Sequence, residues 1–245
     1  MIPIVTAPTY EVRLFSLKQP VKYRPYLVKE EKLLLMAQEG GDEDEIERTI
    51  KDIIRICTFG AIDPDALPSF DLEMLFLNLR AKSVNNIVDI RYECKNVPAG
   101  QLPLEDDKVC HQMVTISVNL DEVKLTVPAG HTKKVMVTDK LGCVMRYPTD
   151  KHIKVFRESS GTDTASMIAE CIESIYDVSG EVYETKDAKP EEVVGFVESL
   201  SLSQVNKFRQ FFETLPHLEH SFEFKCTKCG YTEKITLSGL ADFFG

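Results

Sequence analysis

Four of the seven cysteines occur in two pairs whose surroundings suit a metal site. Cys226 and Cys229 are separated by two residues and lie between two stretches that alternate like strands. Such a C-x-x-C pair supplies only half of a structural zinc site, which needs four tetrahedral ligands. The other two ligands must therefore come from elsewhere in the chain.

A second copy of this pattern lies in the middle of the chain. Each copy has an aromatic-bearing strand, a cysteine, a turn, a second cysteine and a returning strand, so that Cys94 corresponds to Cys226 and Cys110 to Cys229. The first turn is a longer loop, 95–109, which a hairpin tolerates because closure entropy grows only logarithmically with loop length. We predict that the two hairpins face each other and bind one structural Zn²⁺ through all four thiolates.

Several alternatives stay open for the cysteines. His111 could replace Cys110 as the fourth ligand, or the two hairpins could never meet and their cysteines would simply be buried. A thioredoxin-like redox role for Cys226 and Cys229 is disfavoured, because that motif opens a helix and the following residues here alternate as a strand. The remaining cysteines are expected to fill apolar cores: Cys57, Cys143 and Cys171.

The composition limits the classes of partner and compartment. With 245 residues, 43% of them hydrophobic, the chain can bury a core as one large domain or two modest ones. Its formal net charge of -10 opposes binding to phosphate backbones, so no nucleic-acid partner is expected. The chain has no apolar run of membrane-spanning length and no signal segment at 1–3, which predicts no membrane insertion and a reducing, cytosolic setting.

The periodicity of apolar residues divides the chain into three segments. Residues 1–83 predict a proline-rich extended arm followed by helices, and residues 84–150 predict a β-rich segment with the first cysteine hairpin. Residues 151–245 predict helices that end in the second cysteine hairpin. One of these helices is predicted from an apolar stripe formed by Ile168, Cys171, Ile172 and Ile175.

These segments predict an α+β fold, with helical segments around a small antiparallel β region and a zinc-ribbon-like staple of four cysteines. Because the cysteine strands come from distant parts of the chain, we expect the segments to form one cooperative unit. No phosphate-binding loop, dinucleotide-binding, zinc-protease or serine-hydrolase motif occurs, and a four-cysteine site leaves no position for a zinc-bound water. We therefore expect no enzymatic activity.

Five stretches of the chain together resemble a known family. They are YRPYLVKEEKLLLMA (23–37), MRYP (145–148), ECIESIYD (170–177), FVESLSLSQVNKFRQFFETLPHLEH (196–220) and CTKCG with ITLSGLADFF (226–244). They are similar to the baseplate hub assembly proteins of T-even-type contractile-tailed phages. The resemblance implies a non-enzymatic role in building the baseplate hub, with hub proteins as partners. It places the chain in the host cytoplasm during assembly, and either in the finished virion tail or released as a chaperone.

The alternative function is a zinc-ribbon transcription regulator that binds polymerase or nucleic acid. Such a protein should carry Lys and Arg around its cysteine hairpins. The first hairpin instead brings Glu105, Asp106 and Asp107 into its loop, which favours a protein-binding module.

The segment KQPVKYRPYLVKEEKLLLMA (18–37) allows two interpretations. Three consecutive leucines span more than one face of a helix, so at least one must be buried by more than a single neighbouring element. In the first interpretation, the helix is enclosed within its own domain. In the second, the arm and helix dock on a hub protein, because Tyr and Arg are enriched at interface hot spots. The residues expected to bind the partner are Tyr23, Arg24, Tyr26 and Leu34.

Overall fold

The structure of the protein, a computed structural model, describes residues 6–97, 109–158, 163–240 and 242. The chain divides into two compact units. The first unit comprises Met1–Pro64, Phe70–Thr126 and His217–Gly245, and the second comprises Asp65–Ser69 and Val127–Pro216. The first unit therefore joins the two chain ends and contains both cysteine hairpins.

The N-terminal part of the first unit is a short hairpin followed by helices. Its elements are β1 (Tyr10–Val12), β2 (Val21–Tyr23), α1 (Val28–Gly40), α2 (Glu43–Cys57) and α3 (Ser69–Ser83). Helix α1 ends where Gly41 adopts a left-handed φ of 70°, and α2 begins where the Asp42 carboxylate accepts a hydrogen bond from the Asp44 N–H. Helix α2 buries Ile53, Ile54 and Cys57, which lie on one face because their spacing follows the helical period.

Two small antiparallel sheets complete the first unit. Strand β3 (Ile87–Glu93) pairs with β4 (Met113–Asn119), and a three-stranded sheet has the order β11-β10-β5. Its strands are β5 (Lys124–Thr126), β10 (His217–Lys225) and β11 (Thr232–Ser238). Strand β5 lies directly beside β10, with Thr126 opposite His217, although 90 residues separate them in sequence (127 to 216).

The second unit contains a four-stranded antiparallel sheet with helices. The sheet has the order β6-β7-β8-β9, formed by β6 (Lys134–Met136), β7 (Leu141–Met145), β8 (Ile172–Asp177) and β9 (Val182–Glu184). The helices are α4 (Asp150–Glu158), α5 (Thr164–Glu170), α6 (Pro190–Glu198) and α7 (Leu202–Glu213). Strand β7, α5, α6 and α7 share one core that includes Met145, Ile168, Val197 and Phe208.

The α+β prediction is confirmed: the described residues form seven α-helices and small antiparallel sheets. The helix predicted on the stripe from Ile168 to Ile175 is wrong beyond Glu170. Cys171 ends α5, and Ile172 begins strand β8, which pairs with β7 and β9. An apolar stripe of eight residues fits the start of a strand as well as a helix, and the strand pairing on both sides of β8 decides between them.

The predicted N-terminal arm is held tightly within the first unit. Strands β1 and β2 pair there, and backbone N–H groups of Phe15 and Ser16 both donate to the Asp71 carboxylate at 2.8 Å. Arg24 N–H donates to the Cys57 carbonyl at 3.0 Å. These bonds tie the arm to α2 and α3. Among the described residues, no helix is long and apolar enough to cross a membrane.

Candidate metal centre

Each of the two hairpins presents a pair of cysteines at the end of its strands. Strand β3 leads into Cys94, and Cys110 lies shortly before β4; β10 leads into Cys226, and Cys229 lies shortly before β11. The last ladder pair before the cysteines is Glu93 opposite Met113 in the first hairpin. The equivalent pair in the second is Lys225 opposite Thr232.

The two cysteine turns share the same backbone hydrogen bonds. In the second hairpin, the Cys226 N–H donates to the Tyr231 carbonyl at 2.8 Å, and the Gly230 N–H donates to the Cys226 carbonyl at 3.1 Å. In the first, the Cys94 N–H donates to the Gln112 carbonyl at 2.9 Å, and the His111 N–H donates to the Cys94 carbonyl at 3.0 Å. The predicted repeat is therefore structural: both turns close around their first cysteine in the same way.

The residue after the second cysteine adopts a left-handed conformation in both turns. Gly230 has a φ of 74°, which costs glycine little because it has no Cβ. His111 has a φ of 50° at the equivalent position, where a side chain is unfavourable. Its ring Nδ1 lies 2.6 Å from a Glu93 carboxylate oxygen, and this contact holds the histidine outside the cysteine cluster. His111 is therefore not brought in as a replacement for Cys110.

The four sulfurs lie together as a compact group. The Sγ atoms of Cys94 and Cys229 are 3.7 Å apart, those of Cys110 and Cys226 are 3.8 Å apart, and all four lie within 4.8 Å of one another. Zinc–sulfur bonds of about 2.3 Å in a tetrahedron require sulfurs about 3.8 Å apart, which these distances match. They are far longer than the bond of about 2.05 Å in a disulfide. The alternative in which the hairpins never meet is wrong.

Burial and hydrogen bonding give the four thiols different acidities. Desolvation by burial raises the pKa of Cys94 to about 12 and also raises the pKa of Cys110. Backbone N–H groups of Cys229 and Lys228, which lie 3.5 and 3.4 Å from the Cys226 sulfur, lower the pKa of that thiol to about 6. Such N–H groups stabilise a thiolate, the form in which cysteine binds metal.

Two polar side chains support the cluster from outside. Asn96 Nδ2 lies 3.7 Å from the Cys229 sulfur, and Lys228 Nζ donates to the Cys110 carbonyl at 3.3 Å. The lysine brings a positive charge beside thiolates that would together carry four negative charges. Neither residue belongs to a sequence pattern that predicts this contact, although Lys228 lies inside the C-x-x-C turn.

Apolar contacts join the two hairpins below the cysteines. The rings of Tyr92 and Phe224, each two residues before the first cysteine of its hairpin, lie 4.9 Å apart between centroids. Cys94, Cys110 and Cys226 are buried in the same core as Leu120 and Leu218, whereas Cys229 is exposed. The sulfurs thus occupy the edge of a packed core and approach solvent at one corner.

Comparison with known proteins identifies the family of the chain. A family model described as "T4 bacteriophage base plate protein" matches residues 7–245. The chain belongs to this baseplate family. No curated protein and no solved structure matches it. The match covers both cysteine hairpins of the baseplate protein and both of its compact units.

The residues predicted to bind a partner lie mainly inside this baseplate protein. Tyr23, Tyr26 and Leu34 are buried, at 1%, 5% and 9% exposure. Arg24 is hydrogen-bonded at 3.0 Å to Glu30, a buried carboxylate that also accepts the Leu27 N–H. This geometry favours the interpretation in which the arm belongs to its own core. Their partner-binding role stays a prediction.

Proposed function

We propose that the chain is a non-enzymatic baseplate hub assembly factor or hub component, which acts by binding other baseplate proteins and is stabilised by one structural Zn²⁺. The observation that carries this proposal is the closed group of four thiols in a chain of the baseplate family. Membership of the family supports contact with other phage baseplate proteins. The resemblance described above supports the hub in particular.

Zinc is the metal that best fits this set of ligands. Tetrahedral sites of four sulfurs in proteins hold zinc or iron–sulfur centres. The sulfur separations of 3.7 and 3.8 Å fit a single ion bonded to all four. Cys94, Cys110, Cys226 and Cys229 would hold it, and the ion would join the two hairpins without any step of chemistry. A site filled by four protein ligands has no open position for water or substrate, which supports a structural role.

The charge around the hairpins supports protein binding over nucleic-acid binding. The second hairpin, 217–238, carries three acidic and three basic residues, and the described part of the first, 87–97 with 109–119, carries two of each. A nucleic-acid reader needs an excess of Lys and Arg on this surface. The charge balance of the hairpins therefore does not support the alternative function, a transcription regulator that binds nucleic acid.

The role is tested in the infected host, where we place the protein in the cytoplasm during assembly. A phage in which the gene for this chain carries a stop codon should accumulate baseplates without a hub, visible by electron microscopy. Wild-type protein supplied from a plasmid should restore hubs, and a variant with Cys94→Ser and Cys226→Ser should restore them poorly because the metal is lost. Complete, infectious tails without the protein would contradict the proposal. Mass spectrometry of purified virions then decides whether the protein stays in the tail.

A further inference from the structure

The second unit contains a cavity of about 470 Å³ whose charged lining residues are mainly basic. Arg146 at the end of β7, Lys151 on α4 and Lys186 before α6 line it, together with His152 and Glu170. Among the described lining residues, the three cations and the one carboxylate give a local charge of +2 (three minus one), in a chain whose formal net charge is -10. A cleft lined by one sign of charge concentrates ligands of the opposite sign.

The carboxylate of Glu170, which lines the cavity, already faces another group. Glu170 Oε2 lies 3.6 Å from His152 Nε2, and the Thr149 N–H donates to His152 Nδ1 at 3.0 Å. Burial lowers the pKa of His152, so the ring is neutral at pH 7 and adds no positive charge. Within the described residues, Lys151 and Lys186 have no carboxylate at ion-pair distance. Their charges are therefore available to a ligand.

Arg146 is fixed in place with most of its donors unused. Its Nη2 donates to the Ile172 carbonyl at 2.9 Å and to Thr185 Oγ1 at 2.8 Å. The Thr185 hydroxyl in turn donates to the Ile172 carbonyl at 2.7 Å. Nε has no acceptor among the described residues but is buried, so it is out of reach of a ligand. No hydrogen bond of Nη1 to a described residue is present beside those of Nη2, and Nη1 is not among the buried atoms that lack a partner, so its N–H groups are the ones that can receive a carboxylate.

The walls of the cavity suit a peptide more than a bare inorganic anion. Ala169, Val193 and Val194 add apolar surface beside the cations. The volume lies within the range of about 300–1,000 Å³ that holds drug-sized ligands, well above the space for one small anion. Carboxylate side chains on a short segment offer negative charge together with methylene groups and backbone, which match both parts of this lining.

We propose that this cavity binds an acidic, carboxylate-bearing segment of a partner protein. The choice of a protein segment rests on the proposed role in baseplate assembly, whereas the preference for anions rests on the cavity alone. Arg146 orients one carboxylate, Lys151 and Lys186 attract the segment, and the apolar wall holds its aliphatic parts. The cavity lies in the second unit and is separate from the cysteine cluster of the first.

The test uses the full-length, metal-loaded protein and a fluorescein-labelled tetraglutamate peptide, followed by fluorescence anisotropy. Tetraglutamine with the same label is the uncharged comparison. We expect tetraglutamate to bind, tetraglutamine to bind at least about tenfold more weakly, and a rise in NaCl from about 50 to about 300 mM to weaken binding. The double variant with Lys151→Glu and Lys186→Glu should lose at least about tenfold in affinity.

The matched control is Lys140→Glu combined with Lys134→Glu. Both lysines are exposed on the β6–β7 hairpin of the same unit and do not line this cavity, and the control has the same net charge as the test variant. The control should change affinity by less than about twofold. An equal loss in both double variants would overturn the proposal, because the effect would then be one of overall charge. Circular dichroism shows that each variant is folded before binding is compared.

Two further probes decide the class of ligand. Inorganic phosphate should compete with tetraglutamate only weakly, and labelled octathymidylate should bind less tightly than the peptide. Tighter binding of either probe than of tetraglutamate would overturn the choice of a protein segment. Because these assays use purified protein, their failure leaves the test of hub assembly in infected cells unaffected, and each proposal can fail alone.

Discussion

The sharpest prediction concerns Cys229→Ser, because this cysteine is the exposed corner of the metal centre. Its side chain contributes little to the core, so exchanging sulfur for oxygen should change packing by less than about 0.5 kcal/mol. Any larger loss of stability must then come from the metal. The same substitution at buried Cys94 or Cys226 would change core packing and metal binding together, so the two contributions to stability could not be separated.

The magnitude follows from linkage between metal binding and folding. A ligand that binds only the folded state stabilises it by about 4.1 kcal/mol when its free concentration is about 1,000 times Kd. Cys229→Ser removes one of four thiolates from a site whose sulfurs match a tetrahedron, so most of this stabilisation should disappear. For a chain of this size, a loss of about 4 kcal/mol lowers Tm by roughly 8–16 °C.

The assay is a thermal melt of wild type and Cys229→Ser, each with zinc and with a chelator. We expect a large difference in Tm with zinc and almost none with chelator, because both proteins then lack the metal. Cys57→Ala is the control: Cys57 is buried in the first unit but lies outside the cluster, so this variant should lose some stability and keep one zinc per chain. A wild-type Tm unchanged by chelator would refute the reasoning, as would an equal Tm difference in both conditions.

Three further predictions test the centre and the fold. Zinc affinity should fall as pH falls, because cysteines that release the metal take up protons. The expected change is about tenfold per pH unit for each proton taken up, and competition with a zinc indicator measures it. Gly142→Ala should lower the free energy of unfolding by about 1–3 kcal/mol because its new Cβ meets the Tyr176 ring. In α6, the new Cβ of Gly195→Ala has no described atom within 4 Å, so this variant should raise the free energy of unfolding by about 0.5–1 kcal/mol. Denaturant melts of the two glycine variants measure both changes, and an unchanged stability of Gly142→Ala would contradict the first. Because the chain divides into two compact units, we expect a chain with 127–216 replaced by Asn-Gly to fold and to bind one zinc. Failure to fold would contradict this expectation and favour the single cooperative unit expected from the sequence.

The cluster of four cysteines was predictable because each half of it is encoded locally. The alternating apolar pattern around Cys94 and around Cys226 predicts two hairpins. The two cysteines of each hairpin lie close together because its strands pair with each other, independently of the rest of the chain. Neither half can complete a tetrahedral site alone, so the repeat itself predicts that the halves meet. The supporting residues Asn96 and Lys228 were not predicted, since their contacts arise only after the hairpins have come together.

The burial of the residues expected to bind a partner was less predictable, for a chemical reason. Tyrosine and arginine are enriched at interface hot spots, but they also serve as amphipathic core residues, and local sequence does not distinguish these uses. Tyr23 is buried and its ring lies 5.8 Å from that of Tyr10, a neighbour created by the pairing of β1 with β2. The basic cavity was missed for a different reason: Arg146, Lys151 and Lys186 come from three separate elements and share no pattern in the sequence.

The division into two units follows from the same physics as the long cysteine turn. Strands β5 and β10 pair directly, with Thr126 opposite His217, so in the first unit the whole stretch 127–216 occupies the place of a connection between adjacent strands. Loop-closure entropy rises only slowly with length, so such an insertion adds little to the free energy of closing the sheet.

A long insertion does make the pairing of distant strands slow to form. A metal that joins Cys94 to Cys229, 135 residues apart, adds a contact that favours this distant pairing once it has formed. The proposed ion would therefore hold together the part of the fold whose strands are farthest apart in the chain, which gives a baseplate protein with a sizeable apolar core a use for a metal.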